Sequence, residues 1–182
     1  MNNKSANYPS QYESKITLRD GTRLRLRPIR LDDVEAWLRF VSRLGLQTKY
    51  LRFHNVPKEM TGEDAKRFCT VDYKDTFAIV AETFNQKPPE IVAIGRYSRL
   101  PRNHNAEYAL VVEDTFQRKG LGTKMMENLV KVARDNDITT FEGYILTENA
   151  EMMKVLKDYG FKVTSKLEGD AYHVTFPVTE RV

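Results

Sequence analysis

One cysteine, three histidines and no long apolar run are the scarcities of this 182-residue sequence, and each excludes a class of protein. A lone Cys69 has no partner for an internal disulfide, and with three scattered histidines it leaves too few ligands for a tetrahedral metal site. No apolar stretch approaches the roughly 18 residues that a membrane-spanning helix needs. The N-terminus, Met1 to Ser14, is polar and has no apolar stretch of the kind a signal peptide carries. The expectation is a cytoplasmic protein without metal, disulfide or membrane anchor. No G-x-x-x-x-G-K-[ST] is present, which excludes a nucleoside-triphosphate P-loop, and Gly120-Leu121-Gly122-Thr123-Lys124-Met125 lacks the third glycine of a dinucleotide fingerprint. The net charge of +4 is modest. Its basic excess gathers between Arg19 and Arg30, where Arg23, Arg25 and Arg27 alternate with Leu24 and Leu26. In a strand those arginines share one face, read here as solvated, and without interleaved aromatics they do not make a nucleic-acid footprint.

What is present is enough for one core. With 41% apolar side chains, 182 residues suit a single domain over residues 16–182, after a polar leader over 1–15 without periodicity. A strand from Arg23 to Ile29 precedes a helix whose apolar positions Val34, Trp37, Leu38, Val41 and Leu44 keep helical spacing, with Asp32 or Asp33 as its cap. Lys49 to His54 reads as a short helix, and Thr61 with Asp64 as a capping box for a helix reaching Val71. Thr76–Thr83 and Ile91–Leu100, split by Asn85-Gln86-Lys87-Pro88-Pro89, predict an antiparallel hairpin that Ala106–Val112 extends. The pattern then turns to helix Gly120–Asn136, strand Thr140–Ile145, helix Asn149–Tyr159, and strands Phe161–Lys166 and Tyr172–Phe176. Strand, crossover helix and strand make neighbours parallel, so the fold class is α/β (α+β), a mixed and mostly antiparallel sheet flanked by helices.

The chemistry concentrates where a strand ends at Val112 and a helix opens after Gln117-Arg118-Lys119-Gly120-Leu121-Gly122-Thr123. The first amides of a helix have no internal partner and sit at its positive end, so they suit phosphate oxygens, and glycines admit the anion closely. Arg118 and Lys119 add positive charge. Leu121, Met125, Leu129, Val132 and Ala133 form the stripe that would seat this helix on the sheet. On that turn alone, Gln117 to Gly122, an ordinary glycine-bearing turn reads equally well.

The surrounding sequence resembles the GNAT superfamily of N-acetyltransferases, whose coenzyme A element [QR]-x-x-G-x-[GA] is matched at Gln117, Gly120 and Gly122. Asn149-x-x-Met152 followed by Gly160-Phe161 is similar to the family's later element, and the likeness covers about residues 15–178. Within the superfamily, Leu18-Arg19-Asp20-Gly21-Thr22, Arg25-Leu26-Arg27-Pro28-Ile29-Arg30 and Tyr50-Leu51-Arg52-Phe53 resemble the bacterial Pat-type protein lysine acetyltransferases. The resemblance implies acetyl-CoA as co-substrate, held by Leu110, Val111, Val112, the run Gln117 to Thr123, Asn149 and Met152. It implies a protein lysine as acceptor, with acyl-CoA synthetases among the candidate partners, and a monomer or homodimer. Many such enzymes carry a regulatory domain, for which these 182 residues leave no room.

A lysine ammonium, pKa about 10.4, has no lone pair to offer at neutral pH, so transfer requires a base. Glu107, in the apolar strand Ala106-Glu107-Tyr108-Ala109-Leu110-Val111-Val112, is the candidate; apolar neighbours would desolvate its carboxylate and favour proton uptake. It matches the Glu that similar enzymes use, although a Glu at a strand start also reads as merely solvent-facing. Glu82 and Glu142 are alternative bases that read more readily as structural. The resemblance places the oxyanion donor at a bulge around Leu110 to Val112. The family's tyrosine acid is replaced by Leu156, while Tyr159 reads as core or capping. His54, His104 and His173 suggest surface or structural roles. The rival readings are a small-molecule amine acetyltransferase and a non-catalytic acyl-CoA-binding module.

Overall fold

The computed structural model describes residues 8–53, 60–101 and 104–178. Its elements are β1 (Ser14–Thr17), β2 (Arg23–Pro28), α1 (Val34–Arg43), α2 (Leu46–Phe53), α3 (Gly62–Cys69), β3 (Thr76–Thr83), β4 (Ile91–Arg99), β5 (Asn105–Val112), α4 (Leu121–Asp135), β6 (Thr140–Leu146), α5 (Ala150–Tyr159), β7 (Thr164–Glu168) and β8 (Ala171–Pro177). The strands form one sheet in the order β1-β2-β3-β4-β5-β6-β8-β7, antiparallel throughout except for the β5–β6 pair. Among the described residues no helix is long and apolar enough to cross a membrane.

The centre of the sheet is buried on both faces, which explains the near-continuous apolar runs of β3 and β4. One face carries α4 and α5: Met125, Met126, Leu129, Val132 and Leu156 pack on Leu24, Leu26, Phe77, Tyr97 and Phe141. The other carries α1 and α3, where Trp37, Phe40, Val41, Ala65 and Cys69 meet Ala78, Val80, Ile94 and Val111. Each helix is amphipathic, so α4's predicted stripe is the stripe that packs, and its ends fall one residue inside those expected.

Three expectations need correction. The leader does not extend to residue 15: Tyr8 donates its hydroxyl to the Pro28 carbonyl, Tyr12 bonds Asp135, and β1 begins at Ser14. A four-residue edge strand is too short for alternation to declare it. The arginines of β2 do not share a solvated face, because Arg27 is 3% exposed. Its guanidinium donates to both Asp33 oxygens at 2.7 and 2.8 Å and to Glu82 at 2.8 Å. Burial alone lowers its proton affinity; Asp33 and Glu82 more than reverse that and raise its pKa. The cap needs refining: Asp33 does stand at the N-cap of α1, but its side chain bonds none of that helix's amides. It ends a 3-10 turn, Leu31–Asp33, and its carboxylate accepts the Arg30 N–H at 2.7 Å. Glu82, one of the alternative bases, is thereby a structural partner.

Other local signals hold. Thr61 and Asp64 form the reciprocal box, with Asp64 N–H donating to Thr61 Oγ1 at 3.2 Å and Thr61 N–H to Asp64 Oδ2 at 3.0 Å. Gly160 ends α5 with φ +87°, as a C-terminal glycine should. The short helix begins earlier, at Leu46, and ends at Phe53; His54 lies outside the described residues.

Removing Arg27 strands two buried carboxylates, so Arg27→Met is expected to destabilise the protein by about 3–5 kcal/mol, read from urea midpoints. Cys69 supplies a second test: burial pushes its thiol up to about 12, and the side chain is 1% exposed. The thiolate is the reactive form, so iodoacetamide at pH 8 is expected to leave the folded protein unlabelled while labelling the urea-unfolded chain fully.

Candidate functional site

β5 and β6 pair at only three positions, Asn105 with Thr140, Ala106 with Phe141 and Glu107 with Glu142. β5 continues to Val112 against β4, and β6 to Leu146 against β8. The two strands therefore part after Glu107 and Glu142. Where they part, Gly143 is required: a Cβ there would lie 3.2 Å from Tyr108 Cε1 and 3.3 Å from its carbonyl oxygen.

The opening is a cleft in two adjoining parts that share Leu51, Arg52, Leu110, Asn149 and Met152. The outer part, about 350 Å³, is lined by Thr48, Val111, Val112, Gln117, Arg118 and Gly122 among others. The inner part, about 360 Å³, is reached by Glu107, Tyr108, Ala109, Tyr144 and Ile145.

At the outer end, Gly120 has φ +86° and Arg118 φ +59°, left-handed conformations that fold the chain sharply into α4. Gly120 is the N-cap and provides no side-chain hydrogen bond; the first bond to its carbonyl comes from Lys124 N–H. The amides of Leu121, Gly122 and Thr123 are thus left at the positive end of a 15-residue helix, an arrangement suited to an anion. Leu121's own side chain is core, 1% exposed.

Two predicted ligands also have partners within the fold. Lys119 is engaged by the β1–β2 turn, 3.0 Å from Asp20, and does not line the cleft. Its carbonyl accepts the Arg19 N–H, so this turn clasps the glycine turn from behind. Gln117 lines the cleft, but its amide donates to the Val112 carbonyl at 3.0 Å and to Thr48 at 3.2 Å, tying the turn to β5 and α2. Gly122 likewise has a second reason: a Cβ would meet Val155 Cγ2 of α5 at 3.0 Å, so its bareness sets the approach of the two helices.

Asn149 caps α5, its Oδ1 accepting the Met152 N–H at 3.1 Å, and both residues line the cleft. The bulge expected around Leu110, Val111 and Val112 is absent, since β5 keeps unbroken register with β4 from Ala106 to Val112. The amides facing the missing partner come free through the strand separation instead. Leu156 is fully buried, and Tyr159 stacks on Phe161 with ring centroids 4.2 Å apart.

Glu107 reaches the inner cleft but is exposed, so the expected desolvation by its apolar strand does not occur. The alternation that buries Ala106 and Tyr108 turns Glu107 to the other face. There it feels the charges of Arg52 and Arg96. Glu142 stands beside it in register, with His173 Nε2 3.8 Å from the Glu142 carboxylate. Tyr144, 53% exposed, stacks on His173 at the cleft wall. His104 is structural: Nδ1 meets the Asp137 carbonyl at 2.9 Å, and its own carbonyl accepts the Thr139 N–H at 2.8 Å.

Arg96, Tyr144, Thr48 and Asp114 carried no signal in the sequence. Asp114 accepts from Gly45 N–H at 3.0 Å and Thr48 hydroxyl at 2.8 Å, fastening α2 beside the turn. Those bonds hold its carboxyl below the usual range although burial pushes the other way.

A sheet parted beside a helix start, with a carboxylate at the inner end of the cleft, is the architecture of an acyl-CoA-dependent N-acetyltransferase. The acetyltransferase (GNAT) domain family matches residues 23–162, and the chain belongs to that family. An acetyltransferase of Pseudomonas aeruginosa is 28% identical over 145 residues, spanning 80% of this chain and 78% of the relative. Acetyltransferase Pat of Mycolicibacterium smegmatis is 31% identical over 146 residues, and the match spans 80% of this chain but 43% of that protein. The GNAT domain of S. lividans PAT superimposes with a TM-score of 0.84 at 30% identity, covering 93% of this chain and 99% of that domain.

Gly120→Ala forces a Cβ into the left-handed region, which costs about 1–2 kcal/mol. The expected outcome is a lower melting temperature together with weaker acetyl-CoA binding in calorimetry, because the same strain displaces the amides of α4.

Proposed function

We propose that the chain transfers the acetyl group of acetyl-CoA to the side-chain amine of a protein lysine in the cytoplasm, with Glu107 as general base. The observation that carries the reading is one cleft running from the uncapped start of α4 to the carboxylate of Glu107. The amides of Leu121, Gly122 and Thr123, with Arg118 beside them, suit the diphosphate of coenzyme A. Leu110, Val111 and Val112 offer main-chain groups along the parted edge of β5, and Asn149 and Met152 form the facing wall. The pantetheine arm, itself an extended chain of amides, has the length and polarity to pair there as an absent strand would.

The thioester supplies the activated acetyl group; everything else concerns protons and position. Glu107, alone or through a water, takes a proton from the arriving ammonium, and the freed nitrogen lone pair attacks the carbonyl; as the C–S bond breaks, the nitrogen gives up a second proton to solvent or to the departing sulfur, leaving the amide and coenzyme A. Charge that develops on the carbonyl oxygen is met by an unpaired amide of β5. No tyrosine stands at Leu156 to protonate the departing sulfur, and a thiol pKa near 8.5 makes the thiolate a tolerable leaving group without one. A lysine as acceptor is supported by the Pat-type segments around Arg19, Arg27 and Arg52 and by exposed Tyr144, against which an aliphatic stem packs well.

Glu107→Gln is expected to lower kcat by about 10²- to 10⁴-fold while leaving the Kd for acetyl-CoA unchanged, measured by thiol release and by calorimetry. Unchanged turnover in that variant would remove Glu107 from the mechanism. Turnover of free amines without any labelling of protein, seen by mass spectrometry, would favour the small-molecule acceptor instead.

A further inference from the structure

Among the described residues, Arg52 and Arg96 are charged groups that no carboxylate pairs directly; Glu107 acts on them only through its charge. Arg52 lies near the end of α2; Arg96 lies on β4, two residues from Ser98, which pairs with Glu107. Both are half-buried. Among the described residues neither makes an ion pair or a hydrogen bond. Their guanidiniums rest instead 5.1 Å from the ring centroids of Phe53 and Phe68 respectively. The contrast with Arg27, which holds two carboxylates, shows what a satisfied arginine looks like in this fold.

The pair is electrostatically uncomfortable. Burial and the like charge of Arg96 draw Arg52 down to about 10, with Glu107 acting against them, and burial shifts Arg96 the same way. Both remain cationic at neutral pH. Beside them runs a narrow crevice of about 20 Å³ lined by Arg52, Phe53, Phe68 and Arg96 together with core side chains such as Trp37, Phe40 and Ile94, and it shares Arg52 and Phe53 with the cavity that holds Glu107. Among the described residues the two guanidiniums are its only charged lining groups.

Coenzyme A is a poor source of an anion for this pair. Its phosphates have their seat at the start of α4, and none of Gln117, Arg118 or Gly122 lines the crevice. The arm between phosphates and thioester is uncharged. The counterion therefore belongs to the acceptor. The geometry points to an acceptor lysine flanked by an acidic residue, whose carboxylate docks between Arg52 and Arg96 while the ammonium faces Glu107. A planar guanidinium matches a carboxylate in two parallel hydrogen bonds, and an uncompensated pair of arginines repels a lysine set among other cations. Selection thus acts in both directions.

The inference rests on the protein-lysine reading, and the experiment separates the two. Two peptides are compared, identical except that glutamates or glutamines flank the central lysine. Each is titrated into the acetyl-CoA-saturated protein, and steady-state acetylation is followed in parallel. The glutamate peptide is expected to show a Kd and KM lower by about tenfold or more, with kcat little changed. Arg96→Gln and Arg52→Gln should each erase most of that difference. Arg96→Glu should invert it toward a peptide with flanking lysines, a gain that loss of folding cannot mimic. Calorimetry with acetyl-CoA confirms that each variant is folded. Equal affinity for the two peptides, or a preference that survives both glutamine substitutions, overturns the assignment whether or not acetyl transfer is seen. Absence of transfer to either peptide, with the binding preference intact, overturns the lysine-transfer reading and leaves the anion site standing.

Discussion

The separation of β5 from β6 is the constraint on which the site depends. A sheet gains stability from every rung of its ladder, and here two central strands stop pairing after three. What holds the rest of the sheet together makes that loss tolerable. β5 keeps Ala106 to Val112 on β4, β6 keeps its whole length on β8, and Phe141, Phe176 and Tyr108 pack as an aromatic wedge at the vertex. The edges exposed by the parting are not edges in the usual sense, because α2 and α5 stand over them and leave a slot of molecular size. Backbone groups that would have satisfied one another are kept for a ligand.

The charged residues divide along the same line. Away from the cleft, charges are closed upon themselves: Arg27 with Asp33 and Glu82, Arg99 with Asp75. At the cleft they are left open, as Arg52, Arg96 and Glu107 show. A protein that buries an arginine without a carboxylate accepts a desolvation penalty, and such penalties persist where a ligand relieves them.

How much of this was legible depends on how local the cause is. The turn at Gly120, the box at Thr61 and Asp64, and the glycine ending α5 are each determined by residues within four positions, and all three could be read. The order of helices and strands followed from periodicity. Arg27 could not be read correctly, because its burial is fixed by Glu82, 55 residues away. The ion pair of Lys119 was hidden for the same reason: its partner Asp20 is brought to it only by the sheet. β5 looked like a place for a bulge, whereas the freed amides come from a strand pairing that ends early, a property of two segments and of neither alone. Arg96 gave no local sign, since only the stacking of β4 against β5 places it near Glu107. Glu107 itself lay where its position before the glycine turn suggested, though on the wetter side of its strand.

The contact between Gly122 and Val155 has a mechanical consequence. A Cβ at position 122 would meet Val155 Cγ2 at 3.0 Å, so α4 and α5 lie about as close as a bare residue allows, and any side chain there has to wedge the two helices apart. Across the slot α2 is held differently, by hydrogen bonds from Gly45 N–H and the Thr48 hydroxyl to Asp114, so the two walls answer substitution in different ways, one by displacement and the other by loss of a bond.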